Sequence, residues 1–466
     1  MSDIESLKSN PFFALFEKQR NNLQHINLRT CHERIKKLSV LERSLHHYRL
    51  EIHEALYKDF KKPPTETDLT ELYPVLNEIR NVKANLANWM RPVRVDNTLA
   101  FAGTKSTIVR NGKGVCLIIS PWNYPFMLSF GPIVSAIAAG NTAIIKPSEV
   151  TPNTSLLIRK IVGELFPEEE FKVVTGEKET AEQLLKLPFD HILFTGNTTV
   201  GKKIMHAAAE HLTSVTLELG GKSPVYIHHD ADVEDAASKI TAAKLVNAGQ
   251  TCVAPDYILV HRDLKNELII ALENSFTTFY NKNNKGDQKN FASVVNSKQY
   301  ERLEKLYPDA RQNHEFREQL LFEPVIIREA DPETIIRQDE IFGPVLPVVT
   351  VMNEEEALKI IHQIPEPLCI YLFTVSRKIK NQFKNSTRSG SICYNDCAVH
   401  FLHPDLPFGG IHQSGIGRSH GKAGFLSFTE ERVVFEQRIG FTMAKLLYPP
   451  YGPMKKKLIN LLLKYF

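Results

Sequence analysis

Residues 115–149 read VCLIISPWNYPFMLSFGPIVSAIAAGNTAIIKPSE. Two short unbroken apolar runs, VCLIIS and TAIIK, flank a longer apolar stretch with the length of a helix. A strand that is apolar at every position is covered on both faces, as in a parallel sheet sandwiched by helices. The same alternation continues through the helix LLIRKIVGEL, the strand FKVVTG, the helix AEQLLKL, the strand HILFTG, a helix around VGKKIMHAAAEH, and the strand SVTLELGG. Five strands joined by helices predict an α/β fold built on a Rossmann-type doubly wound sheet.

Working outward, a second series follows: the helix ADVEDAASKITAAKLVNA, the strand YILVH, the helix LKNELIIALENSFTTFY, and the strands PVIIRE, LPVVTV and CIYLFT. It predicts a second α/β domain, with the polar run NKNNKGDQKN at 281–290 as a solvated loop. Upstream, 10–88 has apolar residues three and four apart among many charges, the pattern of amphipathic helices laid over something else. His46 and His47 fall within it, but adjacent residues face different sides of a helix, and no metal is expected.

Composition limits the function. The 466 residues exceed what one core needs, and 42% apolar with 24% charged residues is ordinary for a globular protein. Fifty-seven Lys and Arg against fifty-three Asp and Glu leave +4, too small a surplus for a nucleic-acid surface. The six cysteines are irregularly spaced without a CxxC pair, which predicts free thiols in a reducing compartment. The opening MSDIESLKSN lacks the basic-then-apolar character of a signal peptide, and the expected location is cytoplasmic.

Chemistry concentrates in a few segments. The first strand ends in Ser120-Pro121-Trp122-Asn123-Tyr124-Pro125, where two prolines forbid the usual glycine turn of a dinucleotide fold. Glycines appear instead after HILFTG, from Gly196 to Gly201, opening a helix whose free N–H groups suit a pyrophosphate. A glycine turn before any helix looks similar, so these residues alone support packing equally well. Lys146 and Glu149 stand at the carboxyl end of the second strand, where an adenosine ribose would lie, although an exposed Lys and Glu are commonplace there. Cys252 sits on a turn between a long helix and a strand, a nucleophile's position, whereas the other cysteines fall in helical or strand patterns as small buried hydrophobes. Glu218, at an apolar strand end, has the surroundings that raise a carboxyl toward a useful general base, or that bury one half of a salt bridge.

Together PWNYP, KPSE, FTGNTTVGK, LELGGKSP, GQTCVAPDY, EIFGP and PFGGIHQSGIG resemble the aldehyde dehydrogenase superfamily, in that family's order and through nearly the whole chain. GQTCVAPDY and FTGN are most similar to its class 3 branch of fatty and aromatic aldehyde dehydrogenases. The resemblance implies NAD(P)-dependent oxidation of an aldehyde to a carboxylic acid, on medium-chain, long-chain or aromatic substrates, through a cysteine thiohemiacetal and thioester. It assigns Cys252 as nucleophile, Asn123 with the Cys252 N–H as oxyanion donors, and Glu218 as the base for hydrolysis. It places NAD, with NADP as an alternative, against Trp122, Lys146, Glu149, Thr195, Gly196, Asn197, Thr198, Thr199, Val200, Gly201, Glu340 and Phe342.

The resemblance also divides the chain into a cofactor domain at 1–94 and 113–220, a catalytic domain at 221–428, bridging strands at 95–112 and 429–438, and a helical tail at 439–466. The bridging strands imply a homodimer. The basic, leucine-rich tail is read as a helix docked on the protein, or as one that covers the substrate funnel and touches a membrane surface. Residues before Phe408, among them His403 and Pro404, vary widely among relatives, which leaves the aldehyde itself open. Two other readings compete. A coenzyme A-linked acylating enzyme needs no base for water, which Glu218 argues against, and a silent scaffold would bury polar groups at a cost without using them.

Overall fold

The computed structural model describes residues 7–98, 101, 103–280, 291–308, 317–440, 442, 445 and 448–465. The loop expected at 281–290 lies outside the described residues. Among the described residues, fifteen strands form three sheets. The cofactor-side sheet contains β3 (Val115–Ile119), β4 (Thr142–Lys146), β5 (Phe171–Val173), β6 (His191–Gly196), β7 (Ser214–Leu219) and β14 (Gly415–Ile416), in the order β14-β7-β6-β3-β4-β5. The catalytic-side sheet contains β8 (Pro224–Ile227), β9 (Tyr257–His261), β10 (Val325–Ile327), β11 (Val345–Val351), β12 (Cys369–Phe373) and β13 (Ser391–Tyr394), in the order β10-β11-β9-β8-β12-β13.

Alternation at period two explains the burial. Cys116 and Ile118 of β3 face the core beneath the N-terminal helices, while Val115, Leu117 and Ile119 face the opposite core. Strand order reverses at β3, which lies between β4 and β6, so a crevice opens beyond the carboxyl ends of β3 and β6. Asn123 follows β3 and Gly196 ends β6, which puts both on that crevice.

The predicted N-terminal helices are Phe13–Asn27, Cys31–His47, Arg49–Phe60 and Tyr73–Met90, with a π-helical turn at Asp68–Leu72 before the last. Thr30 and Glu33 form a reciprocal capping box that starts the second of these. Three strands escaped the sequence pattern. β8 and β13 are four residues each, and β14 is a two-residue antiparallel pairing of Gly415 and Ile416 onto Glu218 and Leu217. Through β14 the later part of the chain is stitched to the edge of the cofactor-side sheet.

The segment expected to bridge, 95–112, holds β2 (Lys105–Gly112) and the end of β1 (Val93–Val95). β2 pairs antiparallel with β15 (Thr429–Glu436) through eight residues, from Lys105↔Glu436 to Gly112↔Thr429. The tail forms the helix Pro453–Tyr465, in which no described residue is buried and Leu458, Ile459 and Leu462 are half-buried. No helix among the described residues is long and apolar enough to cross a membrane.

Candidate active site

The turn before Cys252 is the most constrained backbone in the site. Asn247, Ala248 and Gly249 hold φ of 56°, 52° and 71°, three left-handed residues in succession. A side chain at Gly249 would place its Cβ 2.4 Å from the Gly343 carbonyl oxygen, so only glycine fits. Gln250, wholly buried, holds the turn: its Nε2 donates to the carbonyls of Asn247 and Ser293 at 3.0 Å, and its Oε1 accepts from the Val295 N–H at 3.0 Å. The Gln250 carbonyl accepts from Asn123 Nδ2 at 3.0 Å, and the Asn123 carbonyl accepts from Asn247 Nδ2 at 2.9 Å. One amide hydrogen of Asn123 is used there, and the second is not.

Cys252 is half-buried. Burial pushes its thiol well above the ordinary value, and the carboxylates of Glu340 and Glu218 push the same way; the N–H groups of Cys252 and Val253 oppose them. Glu218, on β7, is opposite Thr195 of β6 in the parallel register, and the Thr195 hydroxyl donates to its Oε2 at 3.3 Å. The Ser419 hydroxyl donates to Oε1. Burial raises the Glu218 carboxyl, and these two hydroxyls hold it partly down. Thr195, expected among the cofactor residues, gives its hydroxyl to the candidate base.

Glu340 sits against the glycine pair after β7, where a Cβ at Gly220 would lie 2.2 Å from its Oε2. Burial, then the charge of Asp256, pushes its carboxyl up to about 8 against the Gly221 N–H, Lys222 and Arg302. Phe342 holds φ of 47°, and its ring meets Trp122 edge-on with centroids 5.4 Å apart. A buried ion pair fixes this loop: Lys222 Nζ lies 2.6 Å from Asp256 Oδ2, and Asp256 Oδ1 accepts from the Ile341 N–H at 2.8 Å. Arg302 adds a bond to the Ile341 carbonyl at 2.6 Å.

Asn123, Cys252, Glu218, Glu340, Phe342 and Trp122 are thus brought together. Lys146 and Glu149 stand apart at the sheet edge, where they pair with each other, Lys146 buried and Glu149 exposed. At the helix Thr198–Ala209, Asn197 accepts from the Val200 N–H at 2.9 Å as N-cap, and the Thr198 hydroxyl donates to the Gln413 carbonyl at 2.9 Å. A Cβ at Gly201 would meet Leu219 at 2.7 Å, so this glycine lets helix and strand pack closely. Asn197, Thr199 and Val200 remain exposed at the helix start, free to face a ligand. Cys116, Cys369 and Cys397 are buried as expected, while Cys31 and Cys393 are only half-buried. Among the described residues no group of three or more His, Cys, Asp or Glu is placed to hold a metal.

Sequence reading missed the support behind the turn. Lys62 and Glu71, both fully buried, pair at 2.9 Å; Glu71 Oε2 also accepts from the Met127 N–H at 2.8 Å. Glu66 Oε1 accepts from the Asn247 N–H at 2.9 Å. Lys62 Nζ lies 4.0 Å from the ring centre of Tyr124, whose hydroxyl bonds Thr251 at 2.6 Å. Glu66 and Glu71 are five residues apart, which in an α-helix turns them well away from each other; the π-helical turn at Asp68–Leu72 changes that spacing. No helical periodicity could have flagged the pair.

The aldehyde dehydrogenase family profile matches residues 5–434. The chain is 42% identical to the 4,4'-diaponeurosporen-aldehyde dehydrogenase of Staphylococcus aureus, over 86% of this chain and 87% of that one. It is 37% identical to aldehyde dehydrogenase family 3 member B2 of Mus musculus, over 92% and 90% respectively. Among solved structures, the substrate-bound state of Staphylococcus aureus AldH superposes with a TM-score of 0.93 at 38% identity, covering 97% of this chain and 100% of that one. The Mycobacterium tuberculosis aldehyde dehydrogenase complexed with NAD+ superposes with a TM-score of 0.81 at 27% identity, covering 92% and 90%.

Replacing Lys62 tests the buried support. Lys62→Met leaves Glu71 without its counter-charge and is expected to destabilise by about 3–5 kcal/mol. A second change, Glu71→Leu, should restore part of that loss. Thermal unfolding of the single and double variants checks both; equal melting temperatures for wild type and Lys62→Met would remove the pair from the account.

Proposed function

The chain belongs to the aldehyde dehydrogenase family, and on that premise we propose that it oxidises hydrophobic aldehydes to carboxylates by covalent catalysis at Cys252. Aldehyde oxidation with a nicotinamide dinucleotide is the family's activity. The observation that carries the finer reading is the convergence of a nucleophile, an oxyanion donor and a buried carboxylate on one crevice.

Burial keeps Cys252 as a thiol until a base removes its proton, and Glu218 and Glu340 are the carboxylates whose charge acts on it. Attack of the sulfur on the aldehyde carbon develops charge on oxygen, which the free hydrogen of the Asn123 amide and the Cys252 N–H take up. The cofactor residues suit a dinucleotide: exposed N–H groups at a helix start, close-packed glycines, and a Lys–Glu pair at the edge where a ribose lies. When bound, the dinucleotide supplies the electron-pair acceptor for the oxidation. Glu340 would hold its nicotinamide ribose and Phe342 would flank the ring, with Trp122 behind. Glu218 then activates water against the Cys252 thioester, a role that suits a carboxyl raised by burial. That base disfavours the coenzyme A-linked alternative.

Relatives named for carotenoid and coniferyl aldehydes support an extended or aromatic hydrophobic substrate. Exposed Val433, Val434 and Phe435 on β15 support pairing of two copies through the bridging sheet. Met454, Leu461, Leu463 and Tyr465 of the tail helix are exposed too, which supports a cover or surface contact for that face.

Three measurements test this reading. Glu218→Gln should form about one equivalent of reduced cofactor per site and then stall, because acylation survives and hydrolysis does not. Cys252→Ala is its control, binding cofactor without any burst. Equal slowing of burst and steady state in Glu218→Gln would move Glu218 out of the hydrolytic step. Since Glu149 engages Lys146 and repels a 2′-phosphate, NAD should be preferred, and Glu149→Gln should raise the relative kcat/KM for NADP. An unchanged ratio would mean that this edge does not meet the ribose. Deleting 455–466 should depress turnover of long-chain aldehydes far more than short ones; uniform losses across a graded panel would leave the tail a structural part only.

A further inference from the structure

Hydrolysis as proposed above loads a proton onto Glu218 in every cycle, and the enzyme is not ready again until that proton has left. A cavity of ≈ 50 Å³ adjoins Glu218, and its lining includes Ser419, His420 and Glu78 and extends to Asn77 and the exposed His403. Cys252 is not part of this lining, so the cavity lies on the carboxylate side of the site. Its volume exceeds the roughly 10–15 Å³ that one water needs.

Glu78 projects from the helix Tyr73–Met90 and is 8% exposed. Its two oxygens accept from the Gly421 N–H at 2.8 and 3.1 Å, and no cation among the described residues pairs with it. Ser419, which donates to Glu218, and Gly421, which donates to Glu78, are two residues apart, so their Cα atoms lie at most about 7.6 Å from each other. The two carboxylates are therefore held by one short segment and open on one cavity.

The other groups facing that space are easily named. Glu218 comes from β7. His420, half-buried and stacked on Phe408, is pushed down to about 4 by desolvation and stays neutral. His403 lies at the outer end. The helix Met127–Ala139 contributes Met127, Leu128, Gly131, Pro132 and Ser135, none of which titrates. Burial pushes Glu78 up to about 7, a value that can both take and release a proton near neutrality.

We propose that Glu78 relays the proton of hydrolysis, taking it from Glu218 through the Ser419 hydroxyl and cavity water and passing it to solvent beside His403. The proposal rests on the hydrolytic role assigned to Glu218. Water oxygen bonds to the thioester carbon while one water proton goes to Glu218. The C–S bond then breaks with its electron pair on sulfur, and the acid released returns its proton to the Cys252 thiolate. The net products are carboxylate, thiol and protonated Glu218. Ser419 accepts that last proton as it gives up its own toward Glu78, with no change in oxidation state. Glu78 touches neither substrate nor cofactor, and it acts through Glu218.

The test compares wild type, Glu78→Gln and Glu78→Asp with saturating cofactor and aldehyde. Glu78→Gln keeps an acceptor for the Gly421 N–H but takes no proton. Single-turnover formation of reduced cofactor should stay at the wild-type rate, while steady-state turnover falls roughly 10-fold or more. The rise of kcat with pH through about 7, where Glu78 ionises, should disappear. Added imidazole should restore turnover in proportion to its concentration, and Glu78→Asp should recover part of the rate. A wild-type steady state and pH profile in Glu78→Gln would overturn the relay. So would parallel loss of both phases without rescue, which marks a structural role. A missing burst in Glu218→Gln would instead indict the hydrolytic reading beneath it, so the two failures are told apart.

Discussion

Three left-handed residues in a row, with two of them bearing side chains, cost about 1–2 kcal/mol each for the non-glycine positions, and the site is organised around holding them there. Gln250 does so with three buried bonds from one amide, and Glu66 takes the N–H of Asn247 from the other side. The return is positional. The same turn supplies the carbonyl that orients Asn123, so the proposed nucleophile and the proposed oxyanion donor are held by one piece of backbone.

The strain is sustained by charge placed where water cannot reach. Lys62, Glu71 and Glu66 lie behind the turn, and Lys222 with Asp256 lies beneath the Glu340 loop. Neither ion pair adds stability cheaply, since desolvation offsets much of the attraction. Their use is to aim backbone N–H groups: Met127 onto Glu71, Asn247 onto Glu66, Ile341 onto Asp256. The N-terminal helices, which read as cover, thereby become a wall of the site.

The same helices supply Glu78, and β14 brings Ser419 and Gly421 near it by pinning the chain to β7 at Glu218. Residues 78, 218 and 419–421 have no pattern in common, and only the fold makes them neighbours. The carboxyls of Glu218, Glu340 and Glu78 are all raised, and burial is the largest cause in each.

The sequence determined the doubly wound sheet, because strands buried on both faces must be apolar throughout, while the order in which β3 to β7 pair was set by the fold. It also marked Cys252, Asn123 and Glu218, whose motifs are local runs of a few residues. It missed β8, β13 and β14, which are too short for periodicity to register, and it held no sign that strand register places Thr195 opposite Glu218. Whether Lys146 meets Glu149, and which carboxylate meets which hydroxyl, are matters of distance rather than residue type. Lys62 with Glu71, and Glu78 with Gly421, were decided by tertiary structure alone: a buried charge takes its partner from whatever the fold packs against it, and that partner leaves no trace in the neighbouring sequence.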